Sequence, residues 1–124
     1  MLTVYGIPNC NTVKKARDWL YARKVAYNFH DFKKHGAPRE QIAHWLSQID
    51  KEILINRSGL TWRGLSDEAK SAALQANIHA ASGAVDLMCA KPSVIKRPIL
   101  EQNGKIIALG FNETEYQQLF SNTP

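Results

Sequence analysis

The segment YGIPNCNTVKKARDWL, residues 5–20, decides how this chain is organised. It starts inside a short apolar stretch that runs from Leu2 and ends at Gly6, as a strand would. From Asn11 the apolar residues recur at helical spacing with charged residues between them. These apolar residues are Val13, Ala16 and Leu20. The segment therefore predicts a strand followed at once by a helix of about three turns, with Cys10 in the turn between them.

The sequence on either side of this segment predicts a mixed sheet. In residues 25–30 the large apolar side chains Val25, Tyr27 and Phe29 alternate with Ala26, Asn28 and His30. This alternation predicts a second strand that pairs parallel with the first through the helical crossover. Residues 98–109 are two strand-like stretches around Asn103-Gly104, the sequence most typical of a two-residue β-hairpin turn. Asn112, with a glutamate three residues later, then predicts the capped start of a last helix.

Residues 38–91, between these two halves, are patterned as helices. Pro38 and Ser66 are typical of helix starts, and apolar residues recur at helical spacing in three runs. The runs contain Ile42, Leu46 and Ile49 after Pro38, Leu74 after Ser66, and then Ala81, Ala84, Val85 and Met88. We therefore expect one domain, residues 1–124, of the α/β class. Its fold is predicted to be thioredoxin-like, with a central mixed four-stranded sheet and a helical insertion subdomain at about residues 38–91.

The composition excludes several classes of protein. Hydrophobic residues make up 44% of the 124 residues and charged residues 22%, as in ordinary globular domains. No apolar stretch approaches the roughly 18 residues of a membrane-spanning helix, and the N-terminus lacks a signal-peptide pattern. We therefore expect a cytoplasmic protein with free thiols and no membrane partner. The net charge of +5 favours an anionic ligand without choosing among oxyanions, carboxylates, acidic proteins and nucleic acid.

Cys10 is the first candidate for chemistry. In a turn before a helix, its sulfur would lie beside the unpaired N–H groups of Asn11, Thr12 and Val13 and the positive end of the helix dipole. Helix N-termini and nearby cations lower a cysteine pKa from about 8.5 to roughly 3.5–7.5, and Lys14 is a candidate cation. This position favours a nucleophilic thiolate. The alternative is a small buried hydrophobic residue, which would prefer a core position to a turn.

The second cysteine does not complete a redox motif. The partner thiol of a CxxC motif would stand at position 13, which is valine, so an outside thiol or a distant cysteine must resolve any disulfide at Cys10. Cys89 is the other cysteine of the chain. It sits beside Met88 and Val85 in an apolar helical stretch, which favours a packing role for it.

Arginines supply the candidate anion-binding groups. Arg97 precedes Pro98 at the start of a predicted strand, where an X-Pro bond can be cis and can present backbone to a ligand, although a trans boundary is the commoner arrangement. Arg57 and Arg63 lie in a polar region of the insert and suit carboxylates and oxyanions, unless they are solvated surface charges. No metal site is expected, because the histidines lack metal-ligand spacing. They are His30, His35, His44 and His79.

Three segments, YGIPNCNTVKKARDWL, ILINRSG and PSVIKRPIL, together resemble the arsenate-reductase-related (ArsC/Spx/YffB-like) family, especially its YffB-like branch. The resemblance covers nearly the whole chain. It implies a thioredoxin-like fold with a helical insert and a cysteine thiolate as nucleophile. Cys10 matches the family's catalytic cysteine, and Arg57 matches an arginine of the insert that helps to bind the oxyanion. Arg97 matches the arginine before the family's cis-proline, here Pro98.

The chain departs from the glutathione-linked arsenate reductases at three positions. Those enzymes carry His four residues before the cysteine, Arg four residues after it and a further arginine near the end of the last strand. This chain has Gly6, Lys14 and Phe111 there. Loss of one arginine removes a charge-assisted contact of roughly 1.5–3 kcal/mol, so weak arsenate reduction is expected. Spx-like regulators commonly carry CxxC, which this chain lacks.

The resulting hypothesis is an oxidoreductase, a glutathione-dependent thiol reductase with Cys10 as its nucleophile. Glutathione is the expected co-substrate rather than a bound cofactor. The expected substrate is a small oxidised thiol or an oxyanion, glutaredoxin is a candidate partner, and nucleic acid is not expected. The residues expected to bind substrate and glutathione are Asn11, Thr12, Lys14, Arg57, Arg97 and Pro98. Two alternatives remain open: genuine arsenate reduction, and a non-enzymatic Spx-like regulator that binds RNA polymerase.

Overall fold

The computed structural model describes residues 1–75 and 80–121, with the backbone alone at residues 80–82. The chain divides into two compact units. The first combines Met1–Lys34 with Arg97–Pro124, and the second is His35–Lys96. Two residues that the sequence analysis singled out, His79 and Ala81 with its side chain, lie outside the residues described in this detail.

The described residues form four strands and eight α-helices. The strands are β1 (Leu2–Gly6), β2 (Tyr27–Asp31), β3 (Ile99–Gln102) and β4 (Lys105–Leu109). The helices are α1 (Asn11–Ala22), α2 (Phe32–His35), α3 (Arg39–Leu46), α4 (Lys51–Leu54), α5 (Leu60–Arg63), α6 (Asp67–Leu74), α7 (Ala80–Ala90) and α8 (Glu113–Phe120). A 3₁₀ turn covers Pro92–Val94.

The sheet of the first unit has the strand order β2-β1-β3-β4. Strand β1 pairs parallel with β2 and antiparallel with β3, and β3 pairs antiparallel with β4. The predicted mixed four-stranded sheet is therefore confirmed. The register between β3 and β4 shifts between Leu100 and Glu101, which leaves Ile107 of β4 as the extra residue of a bulge.

Local sequence signals account for the C-terminal half of this unit. Asn103 and Gly104 have φ angles of 54° and 77°, the left-handed values that a tight hairpin turn of this kind requires. The side chain of Asn112 accepts a hydrogen bond of 2.8 Å from the N–H of Glu115, which caps α8 as predicted.

The second strand starts later than the sequence pattern predicts. Val25 lies outside β2, in the segment that follows α1, because its N–H donates to the carbonyl of Leu20 in that helix at 3.0 Å. Lys24, with a φ of 57°, turns the chain out of the helix. At the other end of β2, the carboxylate of Asp31 accepts a 2.8 Å hydrogen bond from the N–H of Lys33 as the chain enters α2.

One face of the sheet packs against α1 and α8. The buried side chains of this core are Leu2, Val4, Ala16, Trp19, Leu20, Leu100, Ala108 and Tyr116. Tyr116 is fully buried, and its hydroxyl donates a 2.6 Å hydrogen bond to the carbonyl of Gly110. The N–H of Gly110 in turn donates to the carbonyl of Pro98 at 2.8 Å. Helix α8 is thereby connected to the residue that precedes β3.

The second unit is helical. Helix α7 packs against both α3 and α6, and Ala84, Val85 and Met88 of α7 are buried as their spacing predicts. An isolated antiparallel bridge joins Ile55 to Ile95. Sequence periodicity missed α2, α4 and α5, which have four residues each and are too short to show a helical repeat. In the described residues no helix combines the length and the apolar character needed to cross a membrane.

We expect Tyr116→Phe to destabilise the protein, because it leaves the buried carbonyl of Gly110 without the hydroxyl that donates to it. An unsatisfied buried acceptor costs about 1–3 kcal/mol in unfolding free energy. Urea unfolding followed by circular dichroism measures this loss. Tyr21→Phe is the matched control: its ring is 82% exposed, so the unfolding free energy should change by no more than about 0.5 kcal/mol. Equal effects of the two substitutions would contradict the role of the Tyr116 hydroxyl.

Candidate functional site

Cys10 is the N-cap residue of α1. Its φ and ψ angles of −100° and 126° are extended, and its carbonyl accepts the first helical hydrogen bond from the N–H of Lys14 at 2.9 Å. The N–H of Cys10 donates to the carbonyl of Ile7 at 3.3 Å, which folds the loop after β1 back on itself. The cysteine is half-buried, and its side chain makes no capping hydrogen bond. The first-turn N–H groups are therefore left to stabilise its anionic form.

The surroundings of the sulfur favour the thiolate. Burial of the thiol raises its pKa, but the backbone N–H groups of Val13 and Thr12 and the guanidinium of Arg97 lower it by more. The pKa of Cys10 therefore lies below its ordinary value. Hydrogen bonds to the charged form and a neighbouring positive charge are the two causes that lower the pKa of a thiol.

Arg97 reaches the sulfur from the far end of the chain. Strand β3 runs antiparallel to β1, with Tyr5 opposite Ile99, so the residues that precede β3 pass the end of β1 where the Cys10 loop begins. The Arg97-Pro98 peptide bond is cis, Pro98 is buried and Arg97 is half-buried. The structure thus brings Cys10, Thr12, Arg97 and Pro98 into one unit of the protein.

Arg97 is a cation whose hydrogen bond and charge lower the pKa of Cys10. The predicted effect of Lys14 on the thiolate stays a prediction. Lys14 is exposed and, with Pro8, lines a shallow cavity of about 200 Å³. Lys14 lies on the exposed surface of α1, whereas Arg97 lies in the segment that precedes β3, beside the end of β1. Asn11 and Thr12 are exposed on the first turn of α1.

Arg57 and Arg63 belong to the second unit, and both are exposed. Arg57 lies in a turn in which the N–H of Gly59 donates to the carbonyl of Asn56 at 3.2 Å. The side chain of Ser58 donates to that of Asn56 at 2.9 Å, which supports the same turn. The role of Arg57 in binding an anion stays a prediction.

Cys89 is half-buried on α7, next to the fully buried Met88. On the surface of the same unit, Arg39 donates a hydrogen bond to Asp86 of α7 at 2.5 Å. This hydrogen bond to Asp86 raises the pKa of Arg39, and Cys89 adds a smaller electrostatic effect. In the part of the chain that the structure describes, no group of three or more His, Cys, Asp or Glu side chains could hold a metal ion.

The structure gives two of the departures from the arsenate reductases a packing reason. Gly6 abuts Val13: a Cβ atom on Gly6 would lie only 2.8 Å from the Val13 Cγ2 atom, so any side chain there meets a buried valine. Phe111 packs edge-on against Tyr116, with ring centroids 4.9 Å apart. The pattern of apolar residues in the sequence gave no sign of the contact between Gly6 and Val13, because the two lie on different elements.

This fold and this site define a class: a thioredoxin-like domain with a single cysteine at the first turn of α1 and an arginine beside its sulfur. The chain belongs to the ArsC family, whose sequence model matches residues 5–119. Family membership and fold agree with the resemblance that the three sequence segments indicated.

Three curated relatives match almost the whole chain. An uncharacterised protein of Haemophilus influenzae is 37% identical over 98% of this chain and all of that protein. The regulatory protein MgsR of Bacillus subtilis is 29% identical over 95% of this chain and 89% of MgsR. The global transcriptional regulator Spx of Streptococcus pyogenes is 27% identical over 98% of this chain and 86% of Spx.

Solved structures show the same relationship. A protein described as YFFB superposes with a TM-score of 0.83 at 39% identity, over 95% of this chain and 97% of that one. An arsenate reductase (ArsC) related protein from Brucella melitensis gives a TM-score of 0.72 at 40% identity, over 96% of this chain and 93% of that one. The family thus includes relatives described as regulators and relatives described as related to arsenate reductase.

We predict that Arg97, and not Lys14, sets the reactivity of Cys10. In a Cys89→Ser background, Arg97→Gln removes the charge that favours the thiolate, so the apparent pKa of Cys10 should rise. A protonated thiol is unreactive, and alkylation by iodoacetamide near pH 6.5 should therefore slow several-fold. The measurement is the alkylation rate as a function of pH.

Lys14→Gln is the matched control, since it removes an exposed positive charge from the same turn. Its pH profile should overlay that of the parent. A larger shift in Lys14→Gln than in Arg97→Gln would show that the charge on α1 dominates and that the assignment of Arg97 is wrong.

Proposed function

We propose that this protein is a glutathione-dependent thiol reductase in which Cys10 is the nucleophile. The observation that supports the proposal is the environment of the Cys10 sulfur, where two backbone N–H groups and the Arg97 guanidinium favour the thiolate. The thiolate is the reactive form in thiol-disulfide exchange. Membership of a family with relatives related to arsenate reductase supports oxidoreductase chemistry in general. Such chemistry suits the reducing cytoplasm, where glutathione is available.

The proposed reaction has two exchange steps. The Cys10 thiolate attacks the glutathione sulfur of a mixed disulfide, forming a bond between Cys10 and glutathione and releasing the substrate as a thiolate, which takes up a proton. A second glutathione, as its thiolate, then attacks the glutathione sulfur bound to Cys10. Glutathione disulfide leaves and the Cys10 thiolate returns. The substrate gains two electrons, and two glutathione moieties leave as one disulfide.

Arg97 would have two roles in this scheme. It stabilises the attacking thiolate, and its guanidinium can also bind a carboxylate of glutathione through charge-assisted hydrogen bonds. Asn11 and Thr12 are exposed on the first turn of α1, where they can contact the bound tripeptide. Lys14, which is exposed, would attract its carboxylates, and the backbone next to Pro98 would align its chain. Arg57, in the second unit, stays a candidate anion-binding residue on the family resemblance alone. Glutaredoxin is a candidate for the thiol partner of the second step.

Two specific observations favour alternative functions. The solved relative from Brucella melitensis is described as related to arsenate reductase, which favours an oxyanion as an alternative substrate of Cys10. Phe111, where the arsenate reductases carry a further arginine, instead packs against Tyr116, so this position supplies no charge for an oxyanion. The similarity to MgsR and Spx favours a second candidate, a transcriptional regulator that acts by binding rather than by turnover.

The proposal predicts turnover that depends on Cys10 alone. With a glutathionylated peptide as substrate and reduced glutathione in excess, glutathione disulfide should form at a saturable rate. Cys10→Ser should abolish this rate because it removes the nucleophile, and Cys89→Ser should retain it. Mass spectrometry after incubation with glutathione disulfide should show one glutathione on the protein, attached at Cys10.

The matched pair of cysteine variants separates the candidate functions. Glutathionylation of Cys10 without turnover would favour the regulator over the enzyme. Turnover with arsenate but not with the mixed disulfide would favour arsenate reduction. Equal turnover in Cys10→Ser and the parent would refute the proposed nucleophile.

A second thiol near Cys10 should change the disulfide that the protein forms with glutathione disulfide. Val13→Cys places a cysteine three residues after Cys10, the spacing of a CxxC motif. Its thiolate can attack the Cys10 sulfur of the glutathionylated protein, releasing glutathione and forming an intramolecular disulfide. Incubated with glutathione disulfide, Val13→Cys should therefore accumulate as the internal disulfide, whereas the parent remains glutathionylated. Val13→Ser is the control that lacks the thiol. Persistent glutathionylation in Val13→Cys would contradict this.

A further inference from the structure

The loop that carries Cys10 is closed at its base by a contact between a strand and a helix. Gly6 is the last residue of β1, and Val13 lies in the first turn of α1. A Cβ atom on Gly6 would lie 2.8 Å from the Val13 Cγ2 atom and 3.1 Å from its Cγ1 atom. Separations below about 3.0 Å do not occur between such atoms without displacement, so Gly6 and the valine side chain already fill this space.

The valine has little freedom to move away. Its side chain is fully buried, and a β-branched residue in a helix is restricted to essentially one χ1 rotamer. An added side chain at position 6 would therefore displace the backbone of Val13 as well as its methyl groups. The same backbone carries the N–H that acts most strongly in favour of the Cys10 thiolate.

We propose that Gly6 and Val13 are positioning residues, whose contact fixes the first turn of α1 against the end of β1 and so sets where its N–H groups lie relative to the sulfur of Cys10. Gly6 touches neither the sulfur nor a substrate, and it acts through the packing of Val13. This inference rests on the proposed role of Cys10 as nucleophile, but it concerns how the nucleophile is prepared rather than what it attacks. It also assigns a matched pair: a residue larger than glycine at position 6 requires one smaller than valine at position 13.

The geometry offers a direct test by compensation. When Val13 is shortened to alanine, its remaining Cβ atom lies 3.6 Å from a Cβ atom placed on Gly6, which is ordinary van der Waals contact. The double variant Gly6→Ala/Val13→Ala therefore restores a contact that either single substitution disturbs. Gly6→Ala forces the two residues apart, and Val13→Ala leaves a gap between them.

We would measure the pH dependence of iodoacetamide alkylation for these variants in the Cys89→Ser background, with thermal melts alongside. Gly6→Ala should slow alkylation near pH 6.5 by at least roughly threefold. Val13→Ala should slow it less, and the double variant should return towards the parent rate. Gly64→Ala is the control, because a Cβ atom there meets its nearest neighbour at 3.4 Å and lies in the other unit. Its alkylation profile should match the parent.

The comparison remains decisive if Gly6→Ala does not fold, since Val13→Ala and the double variant are then compared with each other. Slower alkylation in the double variant than in Val13→Ala would overturn the proposal. So would a Gly6→Ala protein that melts at a lower temperature with an unchanged pH profile, because the contact would then serve stability alone. No glutathione is present in this assay, so the result is independent of whether the proposed turnover with glutathione is found.

Discussion

The anionic form of one sulfur depends on groups from two distant parts of the chain. The N–H groups come from the first turn of α1, directly after Cys10, whereas the guanidinium comes from Arg97. Only the antiparallel pairing of β3 with β1 places Arg97 beside that turn. The insertion of a whole helical unit between β2 and β3 is thus compatible with the site as long as the strand register is kept.

The register of β3 against β1 is supported by contacts with the C-terminal helix α8. Tyr116 of α8 donates to Gly110, and Gly110 donates to Pro98, so the last helix and the start of β3 are linked by two hydrogen bonds. Three aromatic side chains surround the Tyr116 ring: Trp19, Phe111 and Phe120. Phe111 contributes to this aromatic packing. Phe111 therefore belongs to the aromatic part of the core that holds β3 in place.

Features carried by neighbouring residues could be predicted from the sequence. The Asn103-Gly104 turn and the Asn112 cap depend on a few adjacent positions, and both are present as predicted. The placement of Cys10 at a helix start depends on an equally local pattern. The pairing of β1 with β2 and of β3 with β4 followed from the succession of these elements, since parallel pairing requires a crossover and a tight turn requires antiparallel pairing. The pairing of β1 with β3, which completes the strand order, was not predicted.

The features that could not be predicted from the sequence depend on contacts between residues that are far apart in the chain. Lys14 was the nearest candidate cation by spacing, but the charge beside the sulfur belongs to Arg97, which is 87 positions from Cys10 (97 − 10). The fully buried Trp45 takes a core position in α3 beside Ile42, where periodicity had favoured Leu46. The contact between Gly6 and Val13 could not be predicted from the hydrophobic pattern of the sequence, because glycine has no side chain that would contribute to such a pattern.

The two outer strands of the sheet have a consequence for self-association. Strand β2 has five residues, follows the left-handed Lys24 and ends at the buried carboxylate of Asp31. Strand β4 starts at a lysine and is interrupted by the bulge at Ile107. Short strands, bulges and charged ends are the means by which sheets avoid pairing edge to edge with other chains. The bulge within β4 and the charged residues at the strand ends thus make the edges of this sheet poor templates for pairing with another chain.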